Sequence, residues 1–209
     1  MDIDALWAAA EGWDWLQDHD HLQVAGCWTF VRDRTPAQAI AAFGMDPATA
    51  RMLTLDDGVN AFSGRVDQEG NILPWARFGA FGEWTFALES ASYLGHKRDG
   101  VGRSLFIGTQ AAIVWWSPED CEVGFSEDGR GVVAFEPCME WSLVGTDPDR
   151  FAPQMRELGI LPCPDDWHIA DRPSRVVHML AFLTAIADIR LPGDVALGPL
   201  LTCGVPAPP

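Results

Sequence analysis

Cys121-Glu122-Val123-Gly124-Phe125-Ser126-Glu127-Asp128-Gly129-Arg130-Gly131-Val132-Val133-Ala134-Phe135-Glu136 decides the fold class. It holds two short apolar runs, 121–126 and 131–136, around a polar Glu-Asp-Gly-Arg tetrad. Asp-Gly is the dipeptide that a tight hairpin turn favours, because the turn needs positive φ at its central residues. The segment therefore reads as two antiparallel strands.

Working outward, the same β character extends back to Asn71. Strands are expected over 72–81, 84–89, 104–109 and 111–117, with glycines and acidic residues between them, as in Phe81-Gly82-Glu83. Short strands with short links imply an antiparallel meander. The Gly95–Gly102 stretch is the most polar and glycine-rich of these links and reads as a surface loop.

On the N-terminal side the patterns are helical. Ile3, Leu6, Trp7, Ala10 and Trp13 recur at helical spacing behind Asp2. Thr35-Pro36-Ala37-Gln38 is a helix start: Thr35 caps, Pro36 opens, and Gln38 closes a capping box, with Gly44 as the stop. Asp46-Pro47 and Thr54-Leu55-Asp56-Asp57 begin two further short helices, and one more strand is expected over 22–31. On the C-terminal side a helix runs from Arg172-Pro173 to about Ile189. Its middle, 176–187, is apolar almost all round and is expected to be buried. Leu200 and Leu201 of the Pro- and Gly-rich tail are expected to dock on the body. The reading is α+β: one globular domain over 1–209, helical over 1–65, mainly β over 71–145, helical over 147–191, with an ordered tail over 192–209. Helices from both ends pack on one face of the antiparallel sheet.

Composition narrows the function classes. Apolar residues make up 48% of the 209-residue chain, enough for a packed core without metal or disulfide staples. The net charge is −16 and Lys97 is the only lysine. An acidic surface repels phosphate backbones and anionic headgroups, so neither nucleic acid nor a membrane is an expected partner, and a basic protein is. The five cysteines (27, 121, 138, 163 and 203) form no C-x-x-C pair. They read as separate thiols of a reducing compartment, with neither a disulfide framework nor a zinc site. Neither a secretory leader nor an apolar run of membrane-spanning length is present, and the expected location is the cytoplasm.

Motifs for catalysis are sparse. There is no nucleophile elbow, P-loop or dinucleotide fingerprint, so no catalytic residue and no cofactor is expected. His19 and His21, alternating with Asp18 and Asp20, read as a solvated turn rather than a metal site. Glu89 and Glu136 each end an aromatic strand and, if they met in a cleft, would form an acid/base pair. Trp115 and Trp116 are adjacent on one strand, so they point to opposite faces, one toward the core and one outward as a binding anchor. Trp84 lies on the strand that ends at Glu89. The candidate binding residues are Trp84, Glu89, Trp115, Trp116 and Glu136.

Several of these segments occur in a familiar order: Trp28-Thr29-Phe30-Val31-Arg32, Thr35-Pro36, Phe43-Gly44, Gly82 through Glu89, Gly108-Thr109, Phe125 with the Glu127-Asp128-Gly129 turn, Phe135-Glu136-Pro137, and Gly198-Pro199-Leu200-Leu201. In that order, from about residue 13 to 203, the chain resembles an uncharacterised, mainly actinobacterial family, domain of unknown function 6461. The resemblance implies a cytoplasmic protein of such an origin and transfers no catalytic or binding residue. Two functions are carried forward. The first is a non-enzymatic acidic protein-binding module, of immunity, antitoxin or accessory-regulator type. The alternative is a small-molecule binder or hydrolase using Glu89, Glu136 and Trp84 in a sheet-side pocket.

Overall fold

The Asp128-Gly129 turn forms as its residue types demand: both take positive φ, 51° and 70°. It joins β6 (Cys121–Glu127) to β7 (Arg130–Phe135) in a computed structural model that describes residues 8–90, 92–96, 103–162 and 175–206. The other strands are β1 (Gly26–Arg32), β2 (Arg51–Leu53), β3 (Trp75–Phe81), β4 (Trp84–Ser90), β5 (Gln110–Trp116) and β8 (Leu200–Gly204). Together they make one 8-stranded sheet in the order β2-β8-β3-β4-β1-β5-β6-β7. Every pairing is antiparallel.

The sheet modifies the expected meander at its centre. β1 inserts between β4 and β5, so the hairpin β3–β4 and the run β5–β6–β7 flank it. The position follows from composition: Cys27 through Val31 are all buried, and a strand apolar on both faces belongs in the middle. The N-terminal third is therefore not wholly helical, since it supplies β1 and β2. Residues 22–24 belong to a short helix, α1 (Asp20–Val24), that precedes β1.

Two layers cover the sheet. α2 (Pro36–Ala42), with Ile40 and the following Phe43, packs on the face bearing Val31, Ala76, Phe78, Ala87 and Ala111. The capping box at its start is complete: Gln38 N–H donates to Thr35 Oγ1 (3.2 Å) and Thr35 N–H to Gln38 Oε1 (2.8 Å). Thr35→Ala is expected to cost about 1 kcal/mol in urea unfolding, the usual worth of such a cap. Next in order come α3 (Leu55–Phe62) and α4 (Arg103–Phe106). The strand expected over 104–109 is thus corrected. Its first residues wind into α4, Leu105 buries against the α2 layer, and Gly108 turns the chain at φ 72° into β5.

The opposite, larger layer holds α5 (Ala152–Glu157), α6 (Arg175–Ala187) and α7 (Gly193–Leu197) over Trp28, Phe30, Phe86, Val114, Val123 and Phe135. As its all-round apolarity requires, α6 is buried from Val176 to Thr184. Both chain ends meet here. Trp13 Nε1–H donates to Thr184 Oγ1 (2.9 Å) and Trp15 Nε1–H to the Leu191 carbonyl (3.0 Å), so the indole polar groups are satisfied inside the layer. Residues 1–7, where the first helix is expected to start, and the Arg172-Pro173 opening lie outside the described residues; residues 8–10 are helical. Leu200 and Leu201 dock by forming β8 rather than as an irregular tail.

One cysteine reading is corrected. Cys27, Cys121 and Cys203 are free and buried, but Cys138 is disulfide-bonded. Spacing could not reveal it, because a disulfide depends on which distant segments the fold brings together. Here Cys138 N–H donates to the Ile160 carbonyl (3.2 Å), placing the turn after β7 beside the loop that follows α5.

Candidate functional site

The five residues singled out by sequence do not form one site. Trp84 and Glu89 stand at an odd separation along β4, and their side chains leave opposite faces. Trp84 is buried in the larger layer. Trp115 and Trp116 part in the same way. Trp116 is core, its Nε1–H donating to the Leu22 carbonyl (3.2 Å). Trp115 is half-buried on the other face, lying under Tyr93 and His96 at ring separations of 5.7 Å and 4.5 Å. It is therefore not an outward anchor.

Glu89 lies on that face near the end of β4, beside Cys27 in the β1–β4 register. Its side chain is gripped from above. Ser92 Oγ–H donates to Oε2 (2.6 Å), Leu94 N–H to Oε2 (2.7 Å) and Gly95 N–H to Oε1 (2.9 Å). Burial raises the carboxyl pKa above its ordinary 4.5, against these donors, which favour the anion. The neighbouring Cys27 thiol is pushed well above its ordinary range by burial and then by the Glu89 charge, so it is not a poised thiolate.

Gly95 explains why the segment lies so close. A Cβ there would sit 2.2 Å from Thr29 Oγ1, 3.2 Å from Glu89 Oε1 and 3.3 Å from Cys27 Sγ. Only glycine permits that approach. The expected surface loop thus begins with a buried residue; residues 97–102 lie outside the described residues. Chemically, the Glu89 carboxylate is committed. Its oxygens are occupied by the strand-end segment 92–96, and access to them requires lifting that segment.

Glu136 lies elsewhere, just beyond β7, 3.6 Å from Arg175. Burial raises its carboxyl pKa, while the Arg175 charge opposes the rise. β1, β5 and β6 all stand between β4 and β7. Four inter-strand steps of about 4.8 Å put the two carboxylates on the order of 19 Å apart. Paired glycosidase carboxylates sit within roughly 5–9.5 Å, so Glu89 and Glu136 do not constitute such a pair. Among the described residues no group of three His, Cys, Asp or Glu could hold a metal ion. No helix among them is long and apolar enough to cross a membrane.

The exposed tryptophan is a residue that the sequence patterns did not single out. Trp141 is 80% exposed, on a single 3-10 turn (Glu140–Ser142) after β7. The turn is held firmly: Ser142 Oγ accepts from Glu136 N–H (2.8 Å) and donates to the Met139 carbonyl (2.6 Å). The chain then returns along the free edge of β7. Ala134 and Val144 exchange backbone hydrogen bonds (2.8 and 2.9 Å), and Thr146 N–H and Asp147 N–H reach Gly131 and Val132 (both 3.0 Å). Gly145 makes the return possible, since a Cβ there would lie 2.1 Å from the Val132 carbonyl oxygen. The strand edge is thus covered, and what this end of the sheet presents is a large indole and the half-exposed Val144 beside Glu140 and Asp147. A Trp flanked by polar residues just past a strand-ending Pro was the available signal.

The model of a family of unknown function, DUF6461, matches residues 6–194. No curated protein and no solved structure matches the chain.

Proposed function

We propose that this chain, which belongs to that family of unknown function, is a non-enzymatic module that binds a basic protein, as immunity proteins, antitoxins and accessory regulators do. One observation carries the reading: Trp141, 80% exposed on a firmly held turn, in a chain of net charge −16. Leaving an indole in water forgoes a large apolar burial, and tryptophan is the residue type most enriched at the energetic centres of protein interfaces. The negative charge adds long-range attraction to a basic partner and repels nucleic acid and anionic lipid. Because backbone pairing already covers the β7 edge, recognition there runs through side chains rather than through an added strand. The alternative of a hydrolase with a carboxylate pair finds no support in the separation of Glu89 from Glu136.

The test is capture of the tagged chain with its partners from the native host, at low and at high salt. A stoichiometric basic protein held at low ionic strength and released in high salt is the expected result, since exposed charges are screened within roughly a Debye length of 3 Å at 1 M. Absence of a stoichiometric partner under both conditions would overturn the reading.

A further inference from the structure

A second feature of the surface lies away from Trp141, at the β3 side of the sheet. α3 and the segment leading into β3 enclose an apolar crevice of about 190 Å³, lined by Leu55, Val59, Phe62, Ile72, Leu73 and Trp75 among others. An apolar cavity of about 150 Å³ already takes up a benzene ring, so an aliphatic side chain fits. Its mouth is apolar as well. Ile72 is 69% exposed, and Val66, which bridges to it across a short hairpin, is 52% exposed. Exposed aliphatic side chains gathered at the mouth of an apolar crevice mark an interaction site more than a solvated surface.

The surrounding charge selects the occupant. Asp56 lies one helical turn before Val59 on α3, with Asp57 beside it; Asp67 and Glu69 form the tip of the hairpin that carries Val66 and Ile72. Asp67 is held anionic by Asn71, whose side chain and backbone N–H both donate to it. Two cations, Arg51 and Arg65, stand over the Phe62 ring of the crevice at 5.4 Å and 5.5 Å, and against the four acidic residues they leave the surroundings net negative. A second copy of the chain would bring identical acidic rims together, and an anionic lipid surface would meet the same repulsion. We infer that the crevice between α3 and the 66–72 hairpin receives an aliphatic side chain of a basic protein segment, whose Lys or Arg residues face Asp56, Asp67 and Glu69. The inference rests on the reading of the chain as a binder of basic proteins and adds a docking point separate from Trp141, toward the other edge of the sheet.

The experiment titrates the full ¹⁵N-labelled chain with a synthetic amphipathic Leu/Lys peptide, and with the same peptide carrying Ser in place of Leu. Saturable amide shifts at Val59, Gly64 and Ile72 that require the leucines are expected. Ile72→Ser should weaken binding at least tenfold, while Ile107→Ser, at an exposed aliphatic residue outside the crevice, should leave these shifts unchanged. Ile72 is exposed and should tolerate the change; Val59→Ser provides a second variant should it not. Equal, diffuse shifts with both peptides would mean charge adhesion alone and overturn the crevice. Shifts centred on Trp141 would overturn the crevice while leaving the basic-partner reading intact. Binding of neither peptide at low salt would overturn both.

Discussion

Glu89→Ala is expected to lower stability by about 3 kcal/mol, because it removes the acceptor for several buried donors at once. The Leu94 and Gly95 N–H groups and the Ser92 hydroxyl all converge on this carboxylate. At roughly 2–4 °C per kcal/mol for a chain of this length, thermal unfolding should fall by about 10 °C. Glu89→Gln should lose less, since its amide oxygen still accepts while its NH₂ faces donors. The pH dependence has a definite sign. The folded-state pKa of Glu89 is raised above 4.5, so the folded state binds the proton more tightly than the unfolded state. Its stabilising contribution is full below pH 4.5 and declines as pH rises through the folded value. Comparing wild type with Glu89→Gln across that window isolates the slope. A variant as stable as wild type at every pH would show that the 92–96 segment is held by something else.

Phe182→Ala should cost about 4 kcal/mol, the middle of the usual range for a truncated core ring. Phe182 is fully buried on α6 and meets Phe135 edge-on at 5.0 Å and Phe151 at 6.1 Å. Strand β7, through Phe135, and the turn before α5, through Phe151, both meet this ring from the central helix, so neither can close the void without pulling away from the other. Against a usual total of about 5–15 kcal/mol, the loss should be visible as a large fall in the denaturation midpoint. Phe182→Leu keeps much of the volume and should cost about 1.5 kcal/mol or less. Equal effects of the two substitutions would show that this part of the core repacks freely.

Where the local physics is decisive, the sequence was readable. The Asp128-Gly129 turn, the Thr35–Gln38 capping box and the all-apolar middle of α6 each follow from steric or hydrogen-bonding needs that only a few residue types meet. β8 and the central position of β1 were not readable, because pairing partners are chosen by tertiary packing. Leu200-Leu201 looks the same whether it docks as a strand or as a tail. Ser104 through Thr109 carries the residue types of a strand, yet Leu105 had a buried place to fill beside α2 and the chain wound to reach it. The candidate site was less legible still. A carboxylate at the end of an aromatic strand reads identically whether it faces a cleft, as proposed for a pair with Glu136, or is clasped by its own following segment, as Glu89 is. Trp115 and Trp141 are both tryptophans outside the larger core, and only the placement of Tyr93 and His96 over the first leaves the second as the exposed one.

The proposal that the chain binds a basic protein through a presented indole is tested most directly by capturing partners with wild type and with Trp141→Ala side by side. Trp141 is 80% exposed, so the variant should unfold close to the wild-type temperature. The account predicts that wild type retains a stoichiometric basic partner and that Trp141→Ala, equally folded, loses it, with an affinity loss of about 2 kcal/mol or more, the scale of an interface hot spot. Retention of the same partner by both proteins would contradict it.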